Sequence, residues 1–65
     1  MNAPFNLDPL LKRPQVEQLV GLKKSAIYNH IRAGTFPEPI HLRGKRTARW
    51  RASSIRAWIE DQPSG

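Results

Sequence analysis

Apolar residues recur along this chain in two rhythms, and the change between them divides it into elements. Val16, Leu19 and Val20 stand at i, i+3 and i+4, the spacing that lines one side of a helix. Pro14 suits the first turn of that helix, where its missing N–H would have had no intrahelical acceptor. Gly21 follows the stripe directly and predicts a left-handed stop, free of the Cβ clash any other residue would meet there. A second helix is predicted from Lys23 or Lys24 to about Ala33, with Ile27 and Ile31 on its buried side and Gly34 as its stop. Leu22, in the turn, is expected to pack between the two helices.

Pro37 and Pro39 exclude helix from the next segment and place Phe36 in an extended link. The period then shortens to two. In Ile40-His41-Leu42-Arg43 and Ala48-Arg49-Trp50-Arg51 apolar and polar residues alternate, as in strands with one buried face, and Gly44 to Thr47 joins them as a hairpin turn. On this reading Arg43, Arg49 and Arg51 share the outward face, with Lys45 and Arg46 at the tip. Ser53 or Ser54 is expected to cap a last helix, in which Ile55, Trp58 and Ile59 repeat the helical stripe.

Residues 1–12 contain Pro4 and Pro9 and no sustained period, which reads as a flexible arm that lays Phe5, Leu7, Leu10 and Leu11 over the core. Residues 62–65 read as a disordered tail. The expected fold is α+β and mostly helical: a winged helix-turn-helix over residues 13–61, with a two-stranded hairpin as wing and a C-terminal helix. The 65 residues allow one domain, which buries only roughly 60% of the surface its unfolded chain exposes. With no cysteine there is no disulfide or thiolate metal site to staple so thin a core, so Trp50 and Trp58 are read as core residues rather than as stacking platforms for single strands.

Charge changes the picture from fold to partner. Eleven Lys and Arg against five Asp and Glu give a net charge of +6 and a pI near 10.9, a balance that favours a polyanion through counterion release. The second helix of a helix-turn-helix can lie in a major groove about 12 Å wide. If Ile27 and Ile31 are buried, Lys24, Ser25, Tyr28, Asn29 and Arg32 face outward, with Lys23 just ahead of them. Asn can read adenine and Arg guanine bidentately, while Lys, Ser and Tyr can hold phosphates. Arg43, Lys45, Arg46, Arg49 and Arg51 fall within nine positions that no acidic residue interrupts. Such a wing repels itself unless it meets an anion, and a DNA backbone or minor groove would supply one.

The pattern Arg13-Pro14-Gln15-Val16, Gly21-Leu22, Ser25-Ala26-Ile27-Tyr28, Gly34-Thr35-Phe36-Pro37 and Trp50-Arg51, closed by Ala57-Trp58-Ile59, resembles the AlpA family of phage and prophage regulators. That family is related to the MerR-like winged helix-turn-helix proteins and to small excisionases. The resemblance covers residues 10–61 and departs from the family at Lys23, where a helix-capping serine is usual. It implies a DNA-binding protein of a mobile element, acting on an integrase or excision gene or on the recombination site itself, and it supports a reading role for the helix with Ser25, Tyr28 and Asn29.

No enzyme is expected. His30 and His41 are the only histidines, the five carboxylates are scattered, and no zinc spacing, phosphate loop or nucleophile motif occurs. His30 reads as a surface or rim residue of the second helix. Neither metal, cofactor nor small-molecule substrate is implied. The expected partners are double-stranded DNA, further copies of the chain on tandem sites, and an integrase. The absence of an apolar run of about 20 residues and of a secretory signal predicts a cytoplasmic, nucleoid-associated protein with no membrane partner. The competing class is a protein adaptor or anti-repressor whose basic wing grips an acidic surface.

Overall fold

The computed structural model describes residues 8–43 and 47–63. The elements run β1 (Leu10–Leu11), α1 (Arg13–Val20), α2 (Lys24–Ala33), β2 (Ile40–His41), β3 (Ala48–Arg51) and α3 (Ala52–Glu60). Phe5, Leu7, Lys45 and Arg46, to which the sequence reading gives roles in the arm and the wing tip, lie outside the described residues.

Both helix stops are made by the glycines that predict them. Gly21 has φ 74° and donates its N–H to the Glu17 carbonyl at 2.8 Å. Gly34 has φ 78° and donates to the Ile31 carbonyl at 3.0 Å, while the Thr35 N–H reaches the His30 carbonyl at 2.9 Å. These bonds satisfy carbonyls that a helix end otherwise leaves without donors. At the other end of α1 the Lys12 N–H donates to Gln15 Oε1 at 2.8 Å.

One large side chain from each layer makes the core: Val16 of α1, Ile27 of α2, Phe36 of the link, Trp50 of β3 and Ile55 of α3. Leu22 and Ile31 pack against this cluster, as their positions predict. The two tryptophans also anchor the link between α2 and β2. Trp50 donates its indole N–H to the Pro37 carbonyl at 3.0 Å, and Trp58 donates to the Thr35 carbonyl at 2.7 Å. Phe36 lies between those acceptors and meets the Trp58 ring edge-on at 4.9 Å between centroids. A segment that two prolines keep out of regular structure thereby gains donors for two of its carbonyls and a buried aromatic anchor.

The fold is a mostly helical α+β winged helix-turn-helix, with one strand more than the sequence predicts. Leu10–Leu11 pairs antiparallel with β3, Leu10 opposite Arg51 and Leu11 opposite Trp50, and β2 pairs with the other edge of β3. The sheet order is therefore β1-β3-β2. Residues 8–12, read as part of a flexible arm, belong to the fold. Two residues are too few to display a period, so this strand has no local signature.

The cap of α3 comes from the same segment. Ser53 and Ser54 lie inside the first turn, not at the cap position, which Arg51 holds without a side-chain bond. Instead, Asp8 accepts the Ser53 N–H on Oδ1 at 2.9 Å and the Ser53 hydroxyl on Oδ2, and the Pro9 carbonyl accepts the Ala52 N–H at 2.9 Å. At the far end Gln62, expected in the tail, donates its N–H to the Ile59 carbonyl at 3.2 Å and its side-chain amide to the Trp58 carbonyl at 2.9 Å.

Strand register corrects the expected faces of the wing. Ile40 stands opposite Arg49 and His41 opposite Ala48, and residues directly opposite share a face. Trp50, Ala48 and Leu11 therefore face the core, while Leu10, Ile40, Arg49 and Arg51 share the outer face. Ile40 and Leu42 do not join the buried stripe; Leu42 is exposed. Arg43 lies in the turn beyond β2, so it does not extend the outer-face row of Arg49 and Arg51. Leu19 and Ile59, members of the helical stripes, are also exposed.

Candidate nucleic-acid interface

The helix α2 presents its polar side because Ile27 and Ile31 hold the other against the core. Lys24, Ser25, Tyr28, Asn29 and Arg32 line one shallow open hollow along that side. These are the outward residues that the helical period predicts. Tyr28 is shared between hollow and core: its ring meets Trp50 edge-on, with centroids 6.5 Å apart, so the residue is fixed at the rim. Arg32 Nη2 donates to Asn29 Oδ1 at 2.5 Å, one turn back along the helix. That bond orients the Asn29 amide and leaves its NH2 group and a second lone pair on Oδ1 for other partners.

Lys23 does not line the hollow. It occupies the cap position of α2 in extended backbone and makes no side-chain cap bond. Its consequence is electrostatic. The positive end of the α2 dipole meets two lysines, Lys23 and Lys24, and no acidic residue in the first turn. Each such cation is unfavourable there by about 0.3–1 kcal/mol unless an anion arrives. The corresponding end of α3 is supplied with a carboxylate by Asp8. The far end of α2 is matched to its dipole by Arg32.

Among the described residues the two ion pairs are Arg13–Glu17 at 2.9 Å and Arg56–Glu60 at 3.4 Å, both i, i+4 pairs on α1 and α3. Lys23, Lys24, Arg32, Arg43, Arg49 and Arg51 are in neither. Arg49 is half-buried and donates from Nη1 to the Ala48 carbonyl at 3.0 Å, and Arg51 is exposed. Arg51 also has a local duty, since its charge contributes to holding the Asp8 carboxyl below the ordinary aspartate range, after the two bonds from Ser53.

The structure thus groups five of the predicted residues on α2 and two, Arg49 and Arg51, on the outer sheet face. Arg43 stands apart in the turn. Leu10 and Ile40, which the sequence reading does not place at this surface, stand opposite those two arginines on the same face. Alternation within each strand cannot reveal that neighbourhood, because it depends on cross-strand register. His30 is half-buried at the rim of α2, with Nδ1 2.8 Å from Thr35 Oγ1 and its ring edge-on to Trp58. Among the described residues no group of three or more His, Cys, Asp or Glu is placed to hold a metal ion. No described helix is long and apolar enough to cross a membrane.

The profile of the family described as prophage CP4-57 regulatory protein (AlpA) matches residues 9–62, which span every helix and strand of the fold. Among curated proteins, "Uncharacterized protein ORF88" of Enterobacteria phage P4 is 42% identical over 55 residues, 85% of this chain and 61% of that protein. The chain therefore spans about three fifths of the length of this relative. No solved structure matches it.

Proposed function

Because the chain belongs to the AlpA family of prophage regulatory proteins, we propose that it binds duplex DNA of a mobile genetic element and promotes that element's excision. It does so either at the recombination site, as an excisionase, or by controlling the integrase and excision genes. In this reading α2 lies in the major groove, Asn29 and Arg32 read base edges, and Lys23, Lys24, Ser25 and Tyr28 hold phosphates. Arg49, Arg51 and Arg43, with Lys45 and Arg46 between them in the sequence, grip the flanking backbone or minor groove.

The observation that carries the reading is the unbalanced charge beside the reading helix. No acidic residue occurs between Glu17 and Glu38, nor between Glu38 and Glu60, and the ion pairs of the described residues lie on α1 and α3. An α2 N-terminus with two lysines and an outer sheet face with two arginines are each improved by phosphate. The excision role is supported by a basic wing suited to bending DNA by charge and deformation.

Fluorescence anisotropy with duplex DNA at a series of salt concentrations tests the reading. If about four to six phosphates are contacted, log K falls against log salt with a slope of roughly −4 to −5. A slope near zero, or equal affinity for an acidic protein and for DNA, would overturn it.

A further inference from the structure

We propose that the groove between α1 and α3 is a docking surface for a second copy of this chain, with the two α3 helices antiparallel about a two-fold axis. The groove is apolar, walled by Leu19 of α1 and by Ala52, Ile55 and Ile59 of α3. Ile55 is committed to the core, but Leu19 is 56% exposed and Ile59 40% exposed. Single exposed apolar residues are ordinary. Two that wall the same groove form a patch whose burial is favourable if a matching surface covers it.

The rim identifies the occupant. Arg56 and Glu60 border this groove one helical turn apart, with their side chains 81% and 67% exposed. A two-fold axis passing between them sets Arg56 against Glu60 of the second copy and Glu60 against Arg56 of the second copy, so one symmetry operation exchanges the two pairs within the chains for two pairs between them. Along α3 the groove residues Ala52, Ile55, Arg56, Ile59 and Glu60 follow the i, i+3, i+4, i+7, i+8 spacing of a helix-packing face.

Net charge strengthens the argument. At +6, copies of this chain repel one another over most approaches. The α3 rim carries one charge of each sign, so an approach through it adds no local like-charge contact to that repulsion. It shares no residue with the α2 hollow, and neither Arg49 nor Arg51 borders it.

Sedimentation velocity of the full chain over a range of concentrations, without DNA, tests the proposal independently of the DNA-binding reading. The wild type is expected to dimerise with rising concentration. Arg56→Glu and Glu60→Arg, each at an exposed position and checked for native circular dichroism, should each weaken self-association by about tenfold. An equimolar mixture of the two variants should associate like the wild type, because every cross-contact then pairs opposite charges. A chain that stays monomeric throughout, or a mixture no better than its components, overturns the proposal. Association that appears only after removal of residues 1–7 also overturns it and assigns the groove to that segment.

Discussion

The Asp8 carboxylate takes both the backbone N–H and the hydroxyl of Ser53, a residue 45 positions along the chain, and so caps the helix that closes the fold. The bond ties the segment before α1 to the helix after β3. It also places a negative charge at the positive end of α3, whose first turn has no acidic residue of its own. Asp8→Ala is expected to lower the thermal midpoint. Asp8→Asn should retain part of the loss, since an amide oxygen can still accept.

The same contact sets a pH dependence. The bonds from Ser53, with a smaller contribution from Arg51, hold Asp8 below the ordinary aspartate value of 3.8. Its folded form therefore binds a proton less readily than its unfolded form, and the stability it contributes is complete above that value. That contribution is lost as pH falls through the lowered folded value. The gap in urea midpoint between wild type and Asp8→Asn should close over that acid interval and stay constant from about pH 5 to 7. A gap that widens toward acid would contradict the assignment.

Trp50 and Trp58 should respond differently to truncation. Trp50 is wholly buried, so Trp50→Ala should cost about 3–5 kcal/mol, comparable with the whole stability of a core this small. Circular dichroism should find it unfolded. Trp58 is half-buried, and Trp58→Phe keeps a ring against Phe36 while losing the bond to Thr35. It should fold, with a loss of about 0.5–1.5 kcal/mol by chemical denaturation.

Gly34→Ala isolates backbone strain. A Cβ at this position would meet no atom within 4 Å, so packing adds nothing to the cost. What remains is the left-handed φ of 78°, worth about 1–2 kcal/mol for an L-residue. Gly21→Ala, at φ 74° and equally open, should cost the same within a few tenths of a kcal/mol. A markedly larger loss at either position would contradict the open surroundings of these two glycines.

On DNA, helix and wing should fail in different ways. Asn29→Ala should cost about 1–3 kcal/mol on the cognate site and much less on random sequence. Arg49→Ala should weaken binding evenly across sequences and reduce the salt slope by about one. Parallel anisotropy titrations on both DNAs check this. Equal losses everywhere for both variants would mean that α2 is not the reading element.

If the protein acts at the recombination site, it should bind tandem sites cooperatively and bend the DNA. Circular-permutation gel shifts measure the bend, and excision with purified integrase measures the role. A single unbent site at a promoter, with excision indifferent to the protein, would leave transcriptional control as its function.

The sequence by itself determined what is local. Gly21 and Gly34 stop helices because glycine adopts left-handed backbone without the cost other residues pay, and Ile27 with Ile31 orients α2 because helical geometry puts residues four apart on one side. The outward set Lys24, Ser25, Tyr28, Asn29 and Arg32 followed from that orientation, which is why the polar side of α2 was legible before the fold. Only the tertiary structure decided the rest. The pairing of Leu10 with Arg51, the cap from Asp8 to Ser53 and the turning of Ile40 outward beside Arg49 each join distant segments. Leu19 and Ile59 have the right period for burial, yet both stay exposed along the groove between α1 and α3, where no further element covers them among the described residues. A period fixes which residues share a face, but only the neighbouring element decides whether that face is covered, and two-residue strands have no period from which a register could be read.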